Sequence, residues 1–125
     1  LNCTIYHQMS AEKSTAPLKT DEIDTAVKAV IEEFIVDKAE YVHSKVQEWC
    51  NKIVENCTKK FLEMTDAPSK YITSCVILQN KGIGVHAASA CHWDATTDSS
   101  TTVKHENPEM ICIVTVYNIY VGDLE

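Results

Sequence analysis

Basic residues are scarce in this sequence. Its 125 residues include 11 Lys and Arg against 18 Asp and Glu, which gives a formal net charge of −7 at pH 7. This acidic balance argues against binding to nucleic acid or to an anionic membrane surface, because both partners are themselves negatively charged. No apolar run approaches the length that spans a bilayer, and the apolar core of a signal peptide is missing. The length predicts one domain, and the 45% hydrophobic content is enough for a core.

Glycine is also scarce, with three residues in the chain. The pair Gly82 and Gly84 is too short for a phosphate-binding loop, since it lacks a third glycine and no helix is predicted after it. These glycines predict a turn, because glycine reaches positive φ without steric cost.

Cysteine is well represented but scattered, and we expect neither disulfides, nor a metal, nor a cofactor. With no export signal, reduced thiols and a cytoplasmic location are expected. Cys91 and His92 are neighbours in a predicted strand, so they point to opposite faces and cannot share one ion. His86 lies on the same face as His92, but no third or fourth ligand has a matching position. The six cysteines are Cys3, Cys50, Cys57, Cys75, Cys91 and Cys112.

A thiol-dependent enzyme is one alternative that the residues leave open. It would use Cys75 or Cys112 as nucleophile and His86 or His105 as base. No partner acid and no oxyanion-binding group is visible beside them. We therefore interpret these cysteines as small hydrophobic core residues.

Helical periodicity dominates the first half of the folded part. Residues 1–19 are polar and without a period, and predict a mobile tail before a domain at 20–125. A first helix is predicted to be capped by Thr20 or Asp21, and a second to cover about residues 40–64. Between them, the spacing of Asp37 and Glu40 is similar to a capping box.

Four strands are predicted after Pro68, at about residues 70–79, 84–93, 100–106 and 110–121. A tight turn at Asn107 and Pro108 separates the last two. The last strand is apolar on both faces, which is typical of a strand covered on both sides. Because two helices cover only one face of a sheet, we expect a second copy of the chain on the other.

The predicted strand at residues 84–93 has unusually small side chains. Such a strand lets another backbone approach closely, which favours the addition of an extended peptide as a further strand. The candidate peptide-binding residues are Val85, His86, Ala87, Ala88, Ser89, Ala90, Cys91, His92 and Trp93.

The order and spacing of several motifs resemble the Tctex-type dynein light chains across about residues 21–121. The motifs are Tyr41 to Val46 with Trp49, Lys70 to Ile72, Cys75 to Ile77, Gln79, Gly82, Gly84, His86, Ala88, Ser89, Cys91, Trp93, Asp94, Thr97, Asp98, Glu106 and Asn107. The resemblance implies an α+β fold with two helices on a four-stranded antiparallel sheet and no catalytic activity. It also implies a homodimer in which the second strand crosses to the partner's sheet. This dimer would bind an extended segment of the dynein intermediate chain, or cargo-adaptor peptides, within a cytoskeletal motor complex.

Two features keep the interpretation open at this stage. The residues alone predict that positions 79–83 form an ordinary hairpin turn, whereas the resemblance implies that the chain opens there and exchanges its strand. His92 stands where the family usually has a bulky aromatic residue, which affects the choice of partner. A dynein-independent or ciliary adaptor of the same fold is the alternative function.

Overall fold

The computed structural model describes residues 17–35, 40–82, 84 and 86–122. In this part of the chain, two helices precede three strands. They are α1 (Thr20–Phe34), α2 (His43–Met64), β1 (Ser69–Gln79), β2 (Ser99–Glu106) and β3 (Met110–Tyr120).

Helix α1 begins at Thr20, so the two residues predicted to cap it, Thr20 and Asp21, lie inside its first turn. Lys19 occupies the capping position, and its backbone N–H donates to the Glu22 carboxylate at 3.0 Å. The prediction that Thr20 or Asp21 caps the helix is therefore wrong, because a side chain in the first turn reaches back to perform that role. The apolar face predicted for α1 is confirmed in most of its members: Ile23, Val27, Val30 and Ile31 are buried, and the fifth, Phe34, is partly buried.

Helix α2 lies over β1. It begins at His43 rather than at residue 40, and it ends at Met64 as predicted. Phe61 and Tyr71 have ring centroids 5.5 Å apart, and the Thr58 and Thr73 hydroxyls are 3.2 Å apart. These contacts join the buried face of α2 to the helix-facing side of β1. The predicted capping box covers residues 37–40, of which 37–39 lie outside the described part.

Strand β3 is the centre of an antiparallel sheet with the order β1-β3-β2. Its side chains alternate, and every second one is buried beneath the helices: Met110, Cys112, Val114, Val116 and Asn118. The other face of β3 is half-buried. The prediction of a central strand whose second face the helices leave uncovered is confirmed in this chain.

The prediction of four strands is not reproduced. Residues 84 and 86–93 belong to no strand, and the chain has three strands in its described part. Small side chains supply little apolar surface to hold a strand against a sheet. A strand also needs a partner, and the segment pairs with no strand in the described part of the chain.

The core extends beyond the predicted domain boundary at its amino-terminal side. Leu18, assigned from the sequence to the tail, is only 6% exposed. Its carbonyl accepts a hydrogen bond from the buried Asn118 Nδ2 at 3.4 Å. The rest of the predicted tail, residues 1–16, lies outside the described part.

Candidate functional site

The small-residue segment between β1 and β2 lies open to solvent. Residues 86–92 are all exposed, and Trp93 is partly buried. Val85, another predicted site residue, lies outside the described residues. The structure therefore brings the candidate peptide-binding residues together as one continuous exposed segment, 86–92, which we call the open segment.

The chain that precedes the open segment is held at the β2–β3 turn through Asn80. Asn107 builds that turn, because its Oδ1 accepts the N–H groups of Glu109 at 2.9 Å and Met110 at 2.7 Å. Asn80, the first residue after β1, donates its backbone N–H to the Glu109 carbonyl at 3.0 Å. Gly82 then takes φ +74°, a conformation that favours glycine. The predicted turn at Asn107 is confirmed. At the glycines the chain bends at residues 81–82, Ile83 lies outside the described residues, and residues 84 and 86–93 form no strand that would complete the hairpin predicted from the residues alone.

The other end of the open segment is held at the opposite end of β3. Trp93 meets Tyr117 edge to face, with ring centroids 6.1 Å apart. Beyond it, Asp98 Oδ1 accepts the backbone N–H of Tyr120 at 2.8 Å, and Oδ2 accepts that of Asp94 at 3.2 Å. The two anchors therefore lie toward opposite ends of β3.

Strand β1 presents a free edge. It pairs only with β3 in the described sheet, over the full span from Ser69 to Gln79. An edge of about 11 residues exposes a row of backbone N–H and C=O groups that another extended chain can pair with. A long unpaired edge and a long unpaired segment therefore occur in the same molecule.

The face of the sheet opposite the helices is apolar and uncovered. Ile72 is 53% exposed and Val76 is 49% exposed, both on β1. In the strand register they lie opposite Tyr117 and Ile113, which are only half-buried. Exposed apolar surface of this kind is typical of an interaction site. We call Ile72, Val76, Ile113 and Tyr117 the open face.

The thiols of the core are arranged for packing rather than for nucleophilic attack. Cys75 and Cys112 have Sγ atoms 3.7 Å apart, and the hydrogen bond to Cys112 together with burial raises the pKa of Cys75. Burial raises the pKa of Cys50 to about 11. A thiol with a raised pKa holds little nucleophilic thiolate at neutral pH. The cysteines in the described part are free thiols: Cys50, Cys57, Cys75, Cys91 and Cys112.

The proposed histidine bases do not change this conclusion. His105 lies directly opposite Cys112 in the β2–β3 pair, on the helix-facing side. Cys112, however, has no exposed surface, so a substrate cannot reach its sulfur. His86 lies in the open segment. Among the described residues, no three His, Cys, Asp or Glu side chains are grouped so that they could hold a metal ion.

Residues 17–119 match the sequence model of the Tctex-1 family. This chain belongs to the Tctex-1 family. A Tctex-type dynein light chain of Drosophila melanogaster is 38% identical over 113 residues, which cover 90% of this chain and all of the relative. One from Dictyostelium discoideum is 36% identical over 81% of this chain and 90% of its own. The human Tctex-type 3 dynein light chain is 39% identical over 64% of this chain and 68% of its own.

Membership of the Tctex-1 family confirms the resemblance seen in the motifs. Several residues that build the site were nevertheless assigned no role from the sequence: Asn80, Asp98, Tyr117 and the exposed pair Ile72 and Val76. The alternation of β1 contained a signal for the open face, because Ile72 and Val76 are apolar residues on one side of a strand. Within the described residues, no helix is both long and apolar enough to cross a membrane.

Proposed function

We propose that this chain is a non-catalytic dynein light chain that acts as a homodimer. In this dimer, residues 84–93 of each copy pair with the free β1 edge of the other. The dimer then binds an extended segment of the dynein intermediate chain, or a cargo-adaptor peptide, as an added strand. Its place is the cytoskeletal dynein complex in the cytoplasm, in keeping with the names of its relatives.

The observation that carries the proposal is the coexistence of the open segment with the free edge of β1. The segment is exposed throughout, and the edge pairs with nothing in the described chain. Exchange between two copies satisfies both sets of backbone groups with one interaction. It also brings two sheets together, so that the open face of each can be buried against the other copy.

The same segment supplies the binding edge for a peptide. Once one side of the open segment pairs with the partner's β1, its other side is a new edge of the sheet. Ala87, Ala88, Ser89 and Ala90 leave room for an incoming backbone beside that edge. In strand addition, main-chain hydrogen bonds supply much of the affinity, and side-chain pockets select the sequence. His92, near the end of the segment, would contribute a polar contact to that selection.

A non-catalytic role is supported by the state of the thiols. Burial raises the pKa of Cys57 to about 12, and the Cys75 and Cys112 thiols contact each other. Nothing in the described residues combines a nucleophile, an accessible base and an oxyanion-binding group. The described residues therefore support a peptide-binding role better than a catalytic one.

The proposal is tested by calorimetry with a synthetic dynein intermediate-chain peptide and two variants of one residue. Ala88→Pro removes a backbone donor and fixes φ, so we expect it to weaken peptide binding by at least about tenfold. Ala88→Gly keeps the N–H and should bind within about threefold of the original chain. Sedimentation of the same samples separates a loss of peptide binding from a loss of the dimer.

Two results would count against the proposal. Equal binding by Ala88→Pro and Ala88→Gly would show that the peptide does not pair with this segment. A dimer of the unaltered chain that binds cargo-adaptor peptides but not the intermediate-chain peptide would replace the dynein role with that of a dynein-independent adaptor.

A further inference from the structure

Asn80 connects the end of β1 to the far side of the sheet. Its Nδ2 donates to the Asn107 carbonyl at 3.1 Å and to Glu106 Oε1 at 3.3 Å. Together with the backbone hydrogen bond to the Glu109 carbonyl, these contacts fix both the main chain and the side chain of Asn80. Among the residues that the structure describes before the open segment, Asn80 is the last with a hydrogen bond to its own sheet.

The Asn80 contacts all lie on one side of β1, as the strand order shows. In the sheet β1-β3-β2, the free edge of β1 faces away from β3. Glu106 ends β2 and Asn107 follows it, so the Asn80 side chain reaches past the end of β3 toward β2. These contacts tie residue 80 to the β3 and β2 side of the sheet, away from the free edge of β1.

A hairpin would require the opposite direction. If residues 84–93 paired with the β1 strand of their own copy, the chain would have to turn at residues 80–83 toward the free edge. Short hairpin loops hold the two strands side by side directly after the turn. The hydrogen bonds of Asn80 oppose that turn, while Gly82 with φ +74° lets the chain leave in another direction.

We propose that Asn80 is a positioning residue that favours exchange of the open segment between two copies over closure of a hairpin within one copy. This inference rests on the proposed homodimer. The Asn80 side chain would shift the equilibrium toward a dimer with exchanged strands. The competing state is a monomer whose open segment pairs with its own β1. Without the amide donor, the closed monomer gains population at the expense of the dimer.

The test compares the dimer dissociation constant of a series of variants by sedimentation over a range of protein concentrations. Asn80→Ala should raise the dissociation constant by about tenfold, as expected for the loss of hydrogen bonds of ordinary strength. Asn80→Asp should raise it at least as far, because a carboxylate cannot donate and would face Glu106. Asn80→Gln keeps the amide donor and should remain within about threefold of the unaltered chain.

Two variants serve as controls for Asn80→Ala. Asn56→Ala removes a hydrogen bond of the same kind, from Nδ2 to the Lys52 carbonyl at 2.7 Å, on the surface of α2. Lys81→Ala alters the exposed neighbour of Asn80. Both should leave the dissociation constant unchanged. Amide exchange on diluted Asn80→Ala should show protection of residues 86–92 in a folded monomer, which is the signature of hairpin closure.

The outcomes separate the two proposals. If the unaltered chain is a monomer, both proposals are wrong. If it is a dimer and Asn80→Ala keeps its dissociation constant, only the role of Asn80 is wrong. A lower thermal midpoint with an unchanged dissociation constant would likewise limit Asn80 to stabilising the turn. Should Asn80→Ala fail to fold, the comparison of Asn80→Asp with Asn80→Gln decides the question by the same criterion.

Discussion

Burial keeps the thiols of the core protonated, and Cys57 shows the consequence for stability at the scale of one residue. Burial raises its pKa from an ordinary value of 9.0 to about 12. Below pH 9 the folded and unfolded chains both hold this proton, so its contribution to stability is complete. Between pH 9 and pH 12 only the unfolded chain releases the proton, and the free energy of unfolding falls as the pH rises.

We expect this loss to reach at most about 1.4 kcal/mol per pH unit for the one thiol. Urea unfolding between pH 8 and pH 11 measures it. Cys57→Ala should show a shallower decline over this range than the unaltered chain, whatever its stability at pH 8. Parallel declines in the two proteins would contradict a raised pKa at Cys57.

Asp98 is a second residue whose effect can be predicted. Its two carboxylate oxygens accept the backbone N–H groups of Tyr120 and Asp94, joining the start of β2 to the end of β3. Asp98→Ala should lower the free energy of unfolding by about 1–2 kcal/mol, because both donors lose their partner. Asp98→Asn keeps one oxygen acceptor and should lose roughly half as much.

Urea unfolding of both Asp98 variants checks this order. Glu63→Ala, an exposed acidic residue on α2, is the control and should change stability by less than about 0.5 kcal/mol. Equal losses for Asp98→Asn and Asp98→Ala would indicate that the charge rather than the hydrogen bonds matters at this position.

At the scale of elements, the two glycines before the open segment form a matched pair. An added Cβ would meet nothing within 4 Å at either Gly82 or Gly84, but only Gly82 has a positive φ. Gly82→Ala should therefore destabilise the protein by about 1 kcal/mol through backbone strain alone. Gly84→Ala should stay within about 0.5 kcal/mol. Equal effects in chemical denaturation would show that space, not conformation, selects glycine here.

A charge placed on the open face should disrupt the proposed dimer. Val76→Lys should shift the chain from dimer to monomer in sedimentation, because it places a charge on a surface that the proposed dimer buries. Leu62→Lys is the control, since Leu62 on α2 is also an exposed large hydrophobic residue, at 41%. It should leave the dimer intact. A dimer that tolerates Val76→Lys would place the contact between copies elsewhere.

The elements differ in how far the sequence could predict them. The burial of α1 and β3 follows from periods of 3.6 and 2, which backbone geometry imposes on any helix or strand. Residues 84–93 are predicted to form a strand, but the described ones among them, 84 and 86–93, form none, because a strand depends on a partner edge that local sequence does not specify. The hydrogen bonds of Asn80 and Asp98 join positions 26 or 22 residues apart, and no spacing in the sequence signals them.

At the scale of the whole molecule, three features have one explanation. The open segment, the free edge of β1 and the open face each lack a partner in the described chain, and the second copy of the proposed dimer would supply a partner to all three. A chain of 14.0 kDa with such surfaces is expected to gain stability on assembly, so its unfolding should depend on protein concentration.

Amide hydrogen exchange of residues 86–92 at a series of protein concentrations tests the central claim most directly. In the single chain these residues are exposed and outside any strand, so their amides should exchange rapidly. We predict strong protection at micromolar protein, where each segment is paired with a second copy, and loss of that protection on dilution. Rapid exchange at every concentration would contradict the exchanged dimer and the peptide-binding edge that depends on it.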